Sequence, residues 1–305
     1  MFDKFLSNNL ILLIILAAIW GSSFFVIKIC LSSFTPTSIA SLRLIIASLF
    51  LIILYYSYNT HPKLNLDLVI ILSFIGVAGN LLPFYLISWA EQYIASSTAG
   101  LLMSVGPLIT LLMSHVLTLD DKFTWIKFIS IIIGFIGIIF ILDISKFNFQ
   151  NENYIVTVAK IFVIIAAFGY MISNIAAYNK LKGLSPISIT TFATLFGAII
   201  SLPFLIYDFI NYEANINKIS LISIIYLGVF PTAIAFHMRY HIVKQSGPVF
   251  LSYVAYLIPV FALIWGFIFL SEKILFNSVI GIILVFIGLF VGQKKSMRKI
   301  PVKNV

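Results

Sequence analysis

The chain has 305 residues, of which 61% are hydrophobic and only 10% charged, with one cysteine and a formal net charge of +9. A water-soluble domain carries about 25% charged residues, so a water-exposed surface is excluded and lipid is the expected solvent for most of this chain. The lone Cys30 excludes an internal disulfide framework and a cysteine-based zinc site. The basic excess does not point to nucleic acid. Lys294, Lys295, Arg298, Lys299 and Lys303 crowd a short tail behind an apolar run, as at a cytoplasmic flank held against anionic lipid.

A spanning helix needs about 20 mostly apolar residues. In chain order such runs are predicted near 9–31, 36–57, 66–90, 93–117, 124–142, 156–179, 186–210, 219–243, 247–270 and 276–292. The first is read as a span and not as a cleaved signal peptide: it is long, carries Trp20 and Lys28, and has no small-x-small site behind it. Polar or turn-forming breaks separate the runs, among them Thr35-Pro36, Asp120-Asp121-Lys122, Ser185-Pro186 and Ser246-Gly247-Pro248. The polar stretch 143–155 divides a first unit, 9–142, from a second, 156–292, and a basic tail, 293–305, ends the chain.

Lys and Arg are enriched on cytoplasmic flanks. With the N-terminus placed inside, twelve of the 19 fall on inner flanks and four (Lys146, Lys160, Lys218, Lys273) on outer ones. Lys28, Arg43 and Arg239 remain within the runs. This bias predicts an even number of spans with both termini cytoplasmic, in the cell's inner membrane.

The two units resemble each other at an offset of about 150. Gly76 and Gly228, Pro107 and Pro259, and Asp120 and Glu272 are each 152 apart; Phe135-Ile136-Gly137 recurs as Phe286-Ile287-Gly288, and Pro36 and Pro83 pair with Pro186 and Pro231. Five spans per unit is an odd number, so the second unit enters the membrane from the opposite side. The predicted fold is therefore all-α and membrane-integral, ten transmembrane helices as two inverted five-helix repeats. Inverted repeats suit a transporter that rocks around a central site.

Trp20-Gly21-Ser22-Ser23 closing on Lys28, Pro36 followed by Arg43, Gly100 through Pro107 before Asp120-Asp121, and Phe250 through Pro259 before Leu270-Ser271-Glu272 together resemble the EamA-type branch of the drug/metabolite transporter superfamily. The resemblance covers nearly the whole chain. It implies ten helices in two EamA repeats and a cavity lined by spans 1, 3 and 4 and their counterparts 6, 8 and 9. Two positions depart from the pattern: Asp120, where the family commonly has Glu, and the His237-x-Arg239-Tyr240-His241 cluster, where it is often aromatic or apolar.

Ionisable groups embedded in hydrocarbon cost about 2.5–3.5 kcal/mol on insertion scales, which makes them candidates for function. Lys28 stands near the outer end of span 1, within snorkelling reach, and Arg43 deeper in span 2; each is read as a substrate contact or a structural charge. Glu91, at the outer end of span 3, is a plausible partner for either. His237 and Arg239 are read as substrate contacts or as a snorkelling helix end. Asn80 and Asn174 require an interhelical partner or a wet cavity. Trp20, Ser23, Tyr85, Tyr170, Tyr253 and Tyr256 complete the expected substrate-binding set, against a packing role for any single aromatic. Pro83, Pro107, Pro231 and Pro259 pair between the units and are read as hinges or as tolerated kinks. Gly134, Gly137, Gly281 and Gly288 are expected to allow close helix approach.

No catalytic residue, metal site or cofactor is expected. The only enzyme-like spacing, His115 with Asp120, is weak, and there is no His-Glu-x-x-His, nucleophile elbow or P-loop. A membrane-embedded enzyme and a receptor or scaffold are the alternatives to a transporter. The expected partners are the bilayer and a small-molecule substrate, with an anionic group favoured by the basic lean of the embedded charges.

Overall fold

The computed structural model describes residues 9–58, 62–142, 153–212, 216–270 and 275–296. Most of the polar connector, residues 271–274 with Glu272 and Lys273, and the end of the basic tail lie outside these. Every regular element among the described residues is helical. In chain order they are α1 (Asn9–Cys30), α2 (Pro36–Tyr56), α3 (Leu66–Gly76), a π-helical segment (Val77–Leu81), α4 (Leu82–Ala90), α5 (Ser96–Met103), α6 (Gly106–Leu117), α7 (Trp125–Leu142) and α8 (Tyr154–Lys180). There follow α9 (Pro186–Asn211), α10 (Lys218–Leu227), a second π segment (Gly228–Ile234), α11 (Ala235–Ser252), α12 (Val254–Leu270) and α13 (Phe276–Ser296).

The offset of about 150 recurs in how helices start. Thr35 and Ser185 each cap a helix that opens on proline, their hydroxyls accepting from the amides of Ser38 and Ser188 at 3.0 and 3.3 Å. Asn65 and Asn217 likewise accept from Leu68 and Ser220 N–H, at 2.9 and 2.8 Å. The two π segments then follow α3 and α10 at corresponding places.

Among the described residues seven helical stretches are long and apolar enough to cross a membrane, and Trp125–Ile141, Val254–Trp265 and Phe276–Gly292 are shorter apolar helices. Four predicted spans are interrupted: the third and eighth by the π segments, the fourth by a turn between Met103 and Gly106, and the ninth by a turn at Tyr253. The eighth passes its predicted end. Helix resumes beyond Gly247, whose positive φ of 81° makes the kink that the Gly-Pro pair signalled.

The polarity of the bundle is that of a protein dissolved in lipid. Ile53, Val116 and Ile210 are at least 72% exposed, whereas Ser41, Asn80, Thr194 and Arg239 are fully enclosed. α7 and α13 pack closely because glycines face each other. A Cβ on Gly137 would stand 2.7 Å from the Gly281 carbonyl oxygen, and one on Gly281 2.5 Å from that of Gly137.

Candidate functional site

The site is organised by two prolines. Proline has no N–H, so the carbonyl four residues before it loses its helix donor, and inside a membrane such an oxygen needs another. Pro83, just past the first π segment, cannot donate to Gly79 O, and Pro231, inside the second, cannot donate to Leu227 O. The Thr232 hydroxyl donates to Leu227 O at 2.7 Å, and Thr232 Oγ1 in turn accepts from Arg43 Nε at 3.3 Å. Gly79 O is served directly from the other unit, by Arg239 Nη1 at 3.2 Å. Each buried arginine therefore reaches the π segment of the opposite half.

Arg239 acts as a clamp, with four of its five N–H groups engaged. Its Nε donates to Asn174 Oδ1 at 2.6 Å, its Nη2 to Ser173 Oγ and to Tyr170 O, and its guanidinium lies about 5 Å from the rings of Phe236, Tyr240 and Tyr170. Gly79 and Gly169 make room for this: a Cβ on Gly79 would overlap Ser173, and one on Gly169 the Ala78 carbonyl.

Arg43 is held differently. Its guanidinium stacks 3.8 Å above the Phe84 ring and uses only Nε in hydrogen bonding, so Nη1 and Nη2 have no acceptor among the described residues. The side chain is 3% exposed and opens into a central cavity of about 810 Å³, a figure that includes its mouth. The walls come from α1, α4, α5, α6, α8, α11 and α12, with Arg43 alone from α2. Trp20 stacks on Tyr170 at 6.4 Å and meets Phe236 edge-on, while Met103 and Met171 supply soft apolar surface. No Asp or Glu is among the described lining residues. The chemistry on offer is a desolvated cation with free donors beside an aromatic and apolar wall.

Of the expected substrate contacts, Trp20, Ser23, Arg43, Tyr170, Asn174 and Arg239 line this cavity. The others do not. Lys28 is exposed at one end of the bundle and donates to the Glu91 carbonyl. Asn80 is buried in the first π segment, with no hydrogen-bond partner for either amide atom among the described residues. Tyr85 packs against the apolar core, Tyr253 hydroxyl pairs with Ser130 at 2.6 Å, and Tyr256 covers Gly134. His237 sits against Tyr58, with Nδ1 unpartnered. Pro83 and Pro231 are at π segments, and Pro231 O accepts from Trp20 Nε1 at 3.0 Å; Pro107 opens α6, and Pro259 lies within continuous helix α12. Phe84 and Thr232 escaped the sequence reading, although each directly follows one of these prolines.

At the opposite end from Lys28, Asp121 joins the two units. Its Oδ1 pairs with Lys127 at 2.6 Å, and its Oδ2 accepts from Val249 N–H at 2.9 Å, just past the Gly247 kink.

Comparison with known proteins bears on this arrangement. The profile described as the EamA-like transporter family matches twice, over residues 8–143 and 157–291. An uncharacterized transporter of Archaeoglobus fulgidus is 29% identical, over 93% of this chain and 98% of its own. YoaV of Bacillus subtilis, also an uncharacterized transporter, is 23% identical over 90% and 92%. A probable terminal-alkyne amino-acid exporter of Streptantibioticus cattleyicolor is 24% identical over 88% and 87%. A solved crystal structure superposes with a TM-score of 0.75 at 17% identity, covering 92% of this chain and 97% of that one, and so shares the fold.

Proposed function

The chain belongs to the EamA-like transporter family, and from that premise we propose that it is a secondary transporter of small solutes bearing a carboxylate, such as amino acids. It is a multi-pass membrane protein of a transporter family, not of an enzyme family. In this reading its spans form two inverted five-helix halves with both termini cytoplasmic, and the halves rock around the central cavity. The double family match and the shared caps and π segments support the repeat.

Arg43 carries the substrate reading. An arginine with two unengaged nitrogens, buried and facing a cavity without carboxylates, is suited to bidentate capture of a carboxylate. Trp20, Phe84 and Tyr170 would cover an apolar or aromatic body, and the amino-acid exporter among the relatives handles a solute of this general chemistry. Arg239, with four of its five donors already engaged, holds the wall.

A thermal-shift comparison of phenylalanine, phenylacetate and phenethylamine on the purified protein tests this. The two carboxylates are expected to raise the unfolding temperature and the amine is not; Arg43→Gln abolishes the effect. Stabilisation by phenethylamine alone would overturn the reading.

A further inference from the structure

Glu91 follows the last residue of α4, one helical turn beyond the cavity-lining Ile87. Its side chain is fully enclosed. Ser96 Oγ donates to Oε2 at 3.3 Å, while Oε1 has no hydrogen-bond partner among the described residues. Lys28, the nearby ammonium, is directed to the Glu91 backbone carbonyl and not to its carboxylate.

A carboxylate that stays ionised in a protein interior usually accepts two or three good hydrogen bonds or sits in a close ion pair; without them it takes up a proton. Glu91 has one long donor. Lys28 from α1 and Ser96 from the start of α5 touch it, and Arg43 from α2 lines the same cavity as Ile87, one helical turn before Glu91. Lys160 is on α8, which packs on α4 through Phe162 against Trp89 at 4.8 Å, and it has an interaction of its own. Burial pushes the Glu91 carboxyl well above the ordinary range, opposed by the charges of Lys28 and, more weakly, Arg43.

We propose that Glu91 is a proton-binding site linked to the anion site at Arg43, so that a proton is loaded together with the substrate carboxylate. This rests on the reading of Arg43 as the anion site. The sign follows from charge. Free Arg43 favours ionised Glu91; a carboxylate on Arg43 cancels that field, and the Glu91 carboxylate takes a proton from solution. The proton returns to solution when the anion leaves. By linkage, lower pH must then tighten anion binding.

Phenylacetate is the probe, used above about pH 6 where an ordinary carboxyl stays ionised. In the purified full-length protein its affinity is expected to tighten as pH falls, by up to about tenfold per unit. Glu91→Gln is expected to bind phenylacetate with no such pH dependence. A flat wild-type profile, or an equal slope in Glu91→Gln, overturns the proposal. Should phenylacetate fail to bind at all, the Arg43 reading fails and infrared difference spectra of the ligand-free protein decide the proton site separately. A carboxyl band that grows in as pH falls from about 9 to 6 and is missing from Glu91→Gln supports it; a spectrum without that titrating band, or with the band unchanged in the variant, overturns it.

Discussion

Arg239 Nη1 donates to the Gly79 carbonyl oxygen at 3.2 Å, and that oxygen is the one Pro83 deprives of its helix donor. A guanidinium from the second half thus stands in for an N–H that the first half cannot provide. Arg43 engages the other half's break through Thr232. Both proline breaks are tied across the two units, and both arginines that tie them line the cavity, Arg43 with its two terminal nitrogens unengaged among the described residues.

Removing the clamp leaves buried acceptors unpaired. Arg239→Ala is expected to cost about 1–3 kcal/mol for each buried group left without a partner, read as a lower unfolding temperature in detergent. Pro83→Ala restores an N–H opposite Gly79 O. The cost of Arg239→Ala should therefore be smaller in a Pro83→Ala background, a coupling that a double-mutant cycle measures.

Among the described residues the Arg43 side chain makes a single hydrogen bond, so its loss should fall on binding more than on folding. Arg43→Gln is expected to weaken carboxylate binding at least tenfold, equivalent to about 1.4 kcal/mol, with a smaller change in unfolding temperature than Arg239→Ala. Isothermal titration with phenylalanine, beside a melt of the same preparation, separates the two effects.

The apolar runs, the polar breaks between them and the paired prolines were legible because each is a local property of the sequence. The rotation of each helix was not. Arg43 and Arg239 read alike as embedded cations, and only packing distinguishes the free fork of one from the engaged fork of the other. Glu91 read as an outer-end partner for Lys28 or Arg43, yet its carboxylate is enclosed and Lys28 meets its backbone. Tyr85, Tyr253, Tyr256 and His237 fall outside the cavity because hydropathy runs mark a span without marking the face it turns inward. The π segments also escaped: proline marks the break, but the backbone's response depends on the donor waiting across the interface.

Glycine contacts between α7 and α13 give a purely steric test. Gly137→Ala places a methyl group against the Gly281 backbone and is expected to destabilise by about 1–3 kcal/mol. Gly100→Ala, with nothing within 4 Å of the added carbon, is expected to be neutral or more stable by up to about 1 kcal/mol. Thermal unfolding of both variants, read by circular dichroism, makes the comparison.

The raised Glu91 carboxyl fixes the sign of a pH effect on stability. Its contribution is fully present below the ordinary carboxylate range and is lost as pH rises through the folded value. Above that value the wild type carries a buried charge that Glu91→Gln does not. The variant should therefore melt higher than wild type at alkaline pH, with the gap closing as pH falls, in melts of both proteins across about pH 5–9.

Transport of a carboxylate through the Arg43 cavity is tested most directly in proteoliposomes, by uptake of labelled phenylalanine and phenylacetate. Saturable uptake above protein-free vesicles, with KM raised at least tenfold or flux lost in Arg43→Gln, is the predicted result. Uptake no faster than in protein-free vesicles for both solutes, or Arg43→Gln transporting at the wild-type KM, would contradict it.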